Sequence, residues 1–154
     1  MTHYEISLMT PESAQELIAN LREADSEELK ALGGTVDQLE EGLRKVSHDT
    51  WVCRVDGEVA CAFGVLPQTI LGDTGLMWLL GTPVLFKNVK AFWGISKNVV
   101  LRAQSSYDTL TGTVWSRNVK SIRWLRRLGF TVPEIPYPVG PNKEIFYQFF
   151  WVKE

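Results

Sequence analysis

Residues 113–130 constrain this chain more than any other stretch, because the hydrophobic period changes once there and both ends are marked. Residues 110–115 alternate and read as a strand. From 118 to 128 the pattern turns helical. Ile122, Trp124, Leu125 and Leu128 share one arc, and Lys120, Arg123, Arg126 and Arg127 the opposite one. Asn118 is of the type that caps a helix by accepting amide hydrogens of its first turn. Gly129 tolerates the left-handed conformation that stops a helix, and Phe130 turns back into the core. Ser121 lies within the apolar arc, where a small side chain lets a strand or ligand approach closely.

The other elements frame this unit. Residues 4–8 read as a first strand. Thr10-Pro11 opens a helix with a hydroxyl cap and Pro in the first turn, and Ala14, Leu17, Ile18 and Leu21 follow at helical spacing. Residues 26–46 are helical but interrupted by Gly33-Gly34, which predicts two short helices. Leu39, Leu43 and Val46 form the buried stripe of the later one. Alternation begins at Thr50, Asp56-Gly57 is a strong hairpin signal, and the return strand covers 59–66. Gly72-Asp73 marks a turn. Residues 75–80 are apolar on both faces, as a central strand requires. Thr82-Pro83 starts a helical region running to about residue 106, with Gly94 as its expected break. Pro133, Pro136, Pro138 and Pro141 predict an irregular loop before a last strand at 145–152. This order predicts one α/β (α+β) domain over residues 1–154. Its sheet is mixed and mainly antiparallel, with about 6–7 strands and helices on both faces.

Composition excludes several classes. Hydrophobic residues make up 45% and charged residues 22% of 154, as in a globular domain. No apolar run approaches the ~18 residues of a membrane span, and residues 1–10 lack the pattern of a signal peptide. Cys53 and Cys61 fall in adjacent strands and read as buried thiols. With His3 and His48 they make no zinc spacing, so no metal is expected. Net charge is −2, yet residues 1–58 carry −8 and residues 59–154 carry +6. An anionic ligand would therefore sit on the second half. Arg117, Lys120, Arg123, Arg126 and Arg127 read first as a solvated helix face. No aromatics interleave with them, so there is no clear nucleic-acid signature. Of the six tryptophans, Trp93 is the candidate partner contact and the others read as core.

The spacing of Asn118, Ser121, Gly129 and Phe130 resembles the last motif of the GNAT superfamily of N-acetyltransferases. More narrowly, the run from Tyr107 through Val114-Trp115 to Phe130, with residues 136–141, Phe146 and Phe149, resembles GNAT-like internal virion proteins of short-tailed phages. The resemblance implies an N-acetyltransferase that moves an acetyl group from acetyl-CoA to an amine by direct attack. The alternative it carries is a catalytically inactive internal virion or accessory protein that binds phage or host proteins. It places the chain in the host cytoplasm or the virion interior.

The resemblance also assigns positions. The cofactor would lie beside Leu79 and Leu80, with its pyrophosphate on amides from Gly81 to Lys87 and Asn118 nearby. Here the chain departs from the family. The glycine pair is missing, Pro83 lacks an amide hydrogen, and Leu125 stands where many relatives place an acidic Tyr. The catalytic residues stay unassigned. Asp73, Glu58 and His48 are candidate bases that read equally as solvated turn or helix-end residues, and Ser116 would orient an acceptor through water.

Overall fold

The computed structural model describes residues 3–45, 50–68, 72–87 and 89–154. Val46 and His48 therefore lie outside the described residues. Strand β1 (Tyr4–Leu8) leads into helix α1 (Pro11–Ala19). Thr10 and Ser13 cap that helix reciprocally: the Thr10 hydroxyl accepts the Ser13 amide, and the Ser13 hydroxyl accepts the Thr10 amide. Helices α2 (Glu23–Ala31) and α3 (Val36–Lys45) flank Gly33-Gly34, as the interruption predicts. Leu43 is buried and Leu39 half-buried along the expected stripe.

Strands β2 (Thr50–Val55) and β3 (Glu58–Pro67) form the hairpin. Asp56 and Gly57 both take positive φ, 50° and 88°, as a tight turn of this hand requires. Cys53 faces Cys61 across it, and both thiols are buried. The hydrogen bond between the two thiols, with burial, raises the Cys61 pKa, and the same bond lowers that of Cys53. Strand β4 (Thr74–Gly81) follows, then a helical turn α4 (Val84–Lys87) and the long helix α5 (Val89–Ser106). Gly94 lies inside α5 rather than breaking it. Strand β5 (Thr109–Trp115), helix α6 (Val119–Arg127), β6 (Tyr137–Val139) and β7 (Glu144–Val152) complete the chain. The Phe130 amide reaches back to the Leu125 carbonyl, closing α6 around Gly129.

The proline-rich segment corrects one expectation. Residues 137–139 are a strand, pairing Pro138 with Ile145 of β7. The segment forms the outer edge of the sheet, where a ring without an N–H is tolerated.

The seven strands lie in the order β1-β2-β3-β4-β5-β7-β6. All neighbours are antiparallel except β4 and β5, and β4 is central, as its two apolar faces predict. Ala14 and Leu17 of α1 and Leu43 of α3 pack on Val52, Ala62, Trp78 and Leu80. Ala31 of α2 joins Trp115 on the same face. Leu85 of α4 and Ile95 of α5 pack on the other face, against Cys61, Phe63 and Leu79, and α6 continues that layer through Ile122. Among the described residues, no helix is long and apolar enough to cross a membrane.

Candidate functional site

The sheet forks at its centre. Strands β4 and β5 pair only where Thr74, Gly75 and Leu76 meet Thr109, Leu110 and Thr111. Beyond that point β4 runs on along β3 to Gly81, while β5 runs on along β7 to Trp115. Gly112 sits at the branch. A Cβ there would lie 2.3 Å from Phe149 Cζ and 2.9 Å from the Met77 carbonyl oxygen. The backbone oxygen has no rotamer with which to yield. Gly112→Val is therefore expected to destabilise by about 3 kcal/mol, read as a lower urea midpoint; a midpoint within error of the parent would show that the fork tolerates a side chain.

Backbone direction follows from period two. The Gly81 amide donates to Asp25 Oδ2 at 2.7 Å, and its carbonyl accepts the Arg22 amide at 2.8 Å. Both groups point away from β3. By strand alternation Leu79 and Met77 point the same way, whereas Leu80 and Trp78 turn theirs toward β3. The Leu79 amide and carbonyl thus face the gap that β5 has left.

A cavity of about 930 Å³ occupies the gap and is lined from both faces of the sheet. Leu29, Leu39 and Leu43 line it on the α2–α3 side. Phe92, Ser96, Trp124 and Leu125 line it on the α5–α6 side, where Lys120, Arg123 and Arg127 add positive charge. Trp124 stacks on Phe92 at 4.7 Å, meets Trp93 edge-on at 5.1 Å and donates to Ser96 Oγ at 3.0 Å. The Arg127 guanidinium covers Trp93 at 4.8 Å. Trp93, the candidate partner contact, is thus half-buried between α5 and α6.

A buried polar cluster stands at the end of the fork. Arg22 grips Asp25 with two hydrogen bonds, 2.6 and 3.0 Å, and also donates to Ser121 Oγ at 3.0 Å. Asp25 is only 2% exposed. One helical turn on, Glu28 accepts the Trp115 amide at 2.7 Å and a hydrogen bond from the Asn118 side chain. Burial raises the Glu28 pKa, the Trp115 amide opposes the rise, and the Asp25 charge adds to it.

Residues singled out from the sequence are distributed unevenly around the fork. Leu79, Leu80 and Asn118 line the cavity, and Gly81 ends β4. Lys87 is exposed at the end of α4. Asn118 occupies the N-cap position of α6 but makes no capping hydrogen bond, because its amide is held by the Glu28 carboxylate. Of the loop amides from Gly81 to Lys87 expected to bind an anion, those of Gly81, Thr82, Val84 and Leu85 are already engaged. Gly81 donates to Asp25, Thr82 to the Ala60 carbonyl, Val84 to Thr82 Oγ1 and Leu85 to the Thr82 carbonyl. Asp73 and Glu58 are exposed beside turns, and Ser116 is half-buried just past β5. Asp73 precedes β4, at the end away from the fork. Arg22, Asp25 and Glu28 were not singled out from the sequence. Among the described residues, no cluster could hold a metal ion.

No protein-family model and no curated protein sequence matches the chain. Solved structures do. A GNAT-family acetyltransferase from Streptococcus pneumoniae superposes with a TM-score of 0.68 at 18% identity, covering 99% of this chain and 100% of that one. The structure of yncA from Salmonella typhimurium with its cofactor acetyl-CoA gives 0.68 at 15%, covering 98% and 94%. Spermidine N-acetyltransferase from Vibrio cholerae, in complex with CoA and spermine, gives 0.73 at 9%, covering 97% and 95%. At such identities the likeness establishes a shared fold, that of the GNAT acetyltransferases.

Proposed function

We propose that this chain transfers an acetyl group from acetyl-coenzyme A to an amine by direct attack. The observation that carries this reading is the fork: one cavity, lined from both faces of the sheet, with linings of different chemistry. The neighbours solved with acetyl-CoA and with CoA and spermine support it. Acetyl-coenzyme A supplies a thioester, whose carbonyl carbon bonds to the amine nitrogen as the carbon–sulfur bond breaks and sulfur keeps the pair.

The residues at the fork fit part of that molecule well. The amide and carbonyl of Leu79 face the gap and suit an extended arm bearing amides, which adds to β4 as a strand would. Between Gly81 and Leu85 the diphosphate finds no amide cradle, since the amides of Gly81, Thr82, Val84 and Leu85 are engaged and Pro83 has none. Lys120, Arg123 and Arg127, with the exposed Lys87 at the end of α4, supply its counter-charge instead. Glu28 takes the proton that the bound ammonium must shed before its nitrogen can attack, its raised pKa making it a stronger base than an ordinary carboxylate. The leaving thiolate is protonated by water, because Leu125 has no proton to give.

Thermal denaturation with acetyl-CoA tests this. A micromolar site at a thousandfold excess of ligand adds roughly 4 kcal/mol of stability. Because exposed side chains rather than amides hold the phosphates, the shift is expected to shrink with added salt and in Arg123→Glu. The absence of any shift would sink the enzymatic reading. The second reading would then stand: a scaffold of this fold without turnover, binding protein partners. It is favoured by the occupied loop amides and by Leu125, and its kinship with phage internal virion proteins rests on the run from Tyr107 to Phe149.

A further inference from the structure

The α2–α3 side of the cavity is built almost wholly of hydrocarbon. Leu29, Leu32, Leu39, Leu43, Trp78 and Leu80 line it, and the exposed groups at its rim include Leu32, 44% exposed, and Leu76, 36% exposed. Apolar side chains left in contact with water at the mouth of a cavity mark the path of an apolar ligand. Among the described residues, the acids that line the cavity are Asp25 and Glu28. Asp25 is already neutralised by the two-pronged Arg22 contact. Of these two, Glu28 is thus left to receive one ammonium, in the same cavity as the leucine-lined wall.

Resting on the acyl-transfer reading above, we infer that the acceptor is a monoamine with a hydrocarbon body, an alkylamine or arylalkylamine, and neither a polyamine nor a peptide N-terminus. A polyamine would bring a second ammonium to rest among leucines, unpaired and stripped of water. A peptide would bring amide groups for which, among the described residues, the leucine-lined part of that wall offers little beyond Gln38 and Thr113. Hexylamine and phenethylamine match both the carboxylate and the leucine-lined wall.

The test is direct binding by calorimetry of hexylamine, phenethylamine, spermidine and leucyl-alanine amide to the whole chain, without acyl donor. The two monoamines are expected to bind about tenfold more tightly than the others, or better. Gly42 of α3 lines the same wall, and a Cβ there meets nothing within 4 Å. Gly42→Phe therefore adds bulk to that wall with no clash at its Cβ and is expected to weaken hexylamine about tenfold. Leu39→Glu adds an acid to the wall and is expected to shift preference toward spermidine. Tighter binding of spermidine or of the peptide amide, binding of none of the amines, or hexylamine affinity unchanged in Gly42→Phe would each overturn the inference. Acetyl-CoA binding is measured alongside. If hexylamine binds as expected while acetyl-CoA does not, the acyl-transfer reading alone falls and the amine site stands.

Discussion

Asp25→Ala is expected to destabilise the fold by about 3–5 kcal/mol, the range for stripping one partner from a buried ion pair. The Asp25 carboxylate receives three hydrogen bonds, two from Arg22 and one from the Gly81 amide. Removing it takes from the Arg22 guanidinium, whose side chain is 11% exposed, the carboxylate that holds it with two hydrogen bonds. It also leaves the Gly81 amide unpaired at the end of the central strand. Both groups would have to regain water that the packing excludes. Asp25→Asn keeps the shape and one acceptor oxygen, so its loss should be smaller. Against a total stability of about 5–15 kcal/mol, the alanine variant is read as a large fall in urea midpoint with an unchanged slope. A loss below about 1 kcal/mol would mean that Arg22 finds another partner or water, and that the cluster does not tie α2 to β4.

That cluster also shows where the sequence was legible and where it was not. Strands and helices were readable because their signals are local. Asp56-Gly57 dictates a turn, Thr10-Pro11 a helix start, and the two apolar faces of residues 75–80 a central strand. The proline-rich tail was misread because edge position, which decides whether Pro is tolerated, is a property of the sheet and not of the segment. The fork has no local signal, since no residue in β4 announces that β5 will leave it. The polar cluster depends on contacts spanning far-separated residues: Asp25 with Gly81, Glu28 with Trp115, Arg22 with Ser121. A signal did exist. Arg22, Asp25 and Glu28 recur at i, i+3 and i+6, beside Leu29 and Leu32. Charged groups on the apolar side of a short helix must be paired or functional. In a segment as acidic as residues 23–28, that spacing was hidden among solvated neighbours.

Glu28→Gln separates chemistry from folding. Glutamine keeps the volume and an oxygen for the Trp115 amide, so the variant should fold and bind acetyl-CoA as the parent does. It cannot take a proton from an ammonium. Turnover is therefore expected to fall by about a hundredfold to ten-thousandfold, the usual weight of a positioned base. In the parent, kcat/KM should rise with pH through the raised pKa of Glu28, above the ordinary glutamate value of about 4.3; the variant should lack that limb. Stability gives an independent readout. A carboxyl whose pKa is raised in the folded state holds its proton more tightly there than in the unfolded chain. Its stabilising contribution is complete below the ordinary value and is lost as pH rises through the raised one. Glutamine does not titrate, so Glu28→Gln should gain in Tm relative to the parent across that window. A variant that keeps full turnover, while its Tm changes with pH as described, would leave Glu28 a structural acid and send the search for the base elsewhere along the cavity.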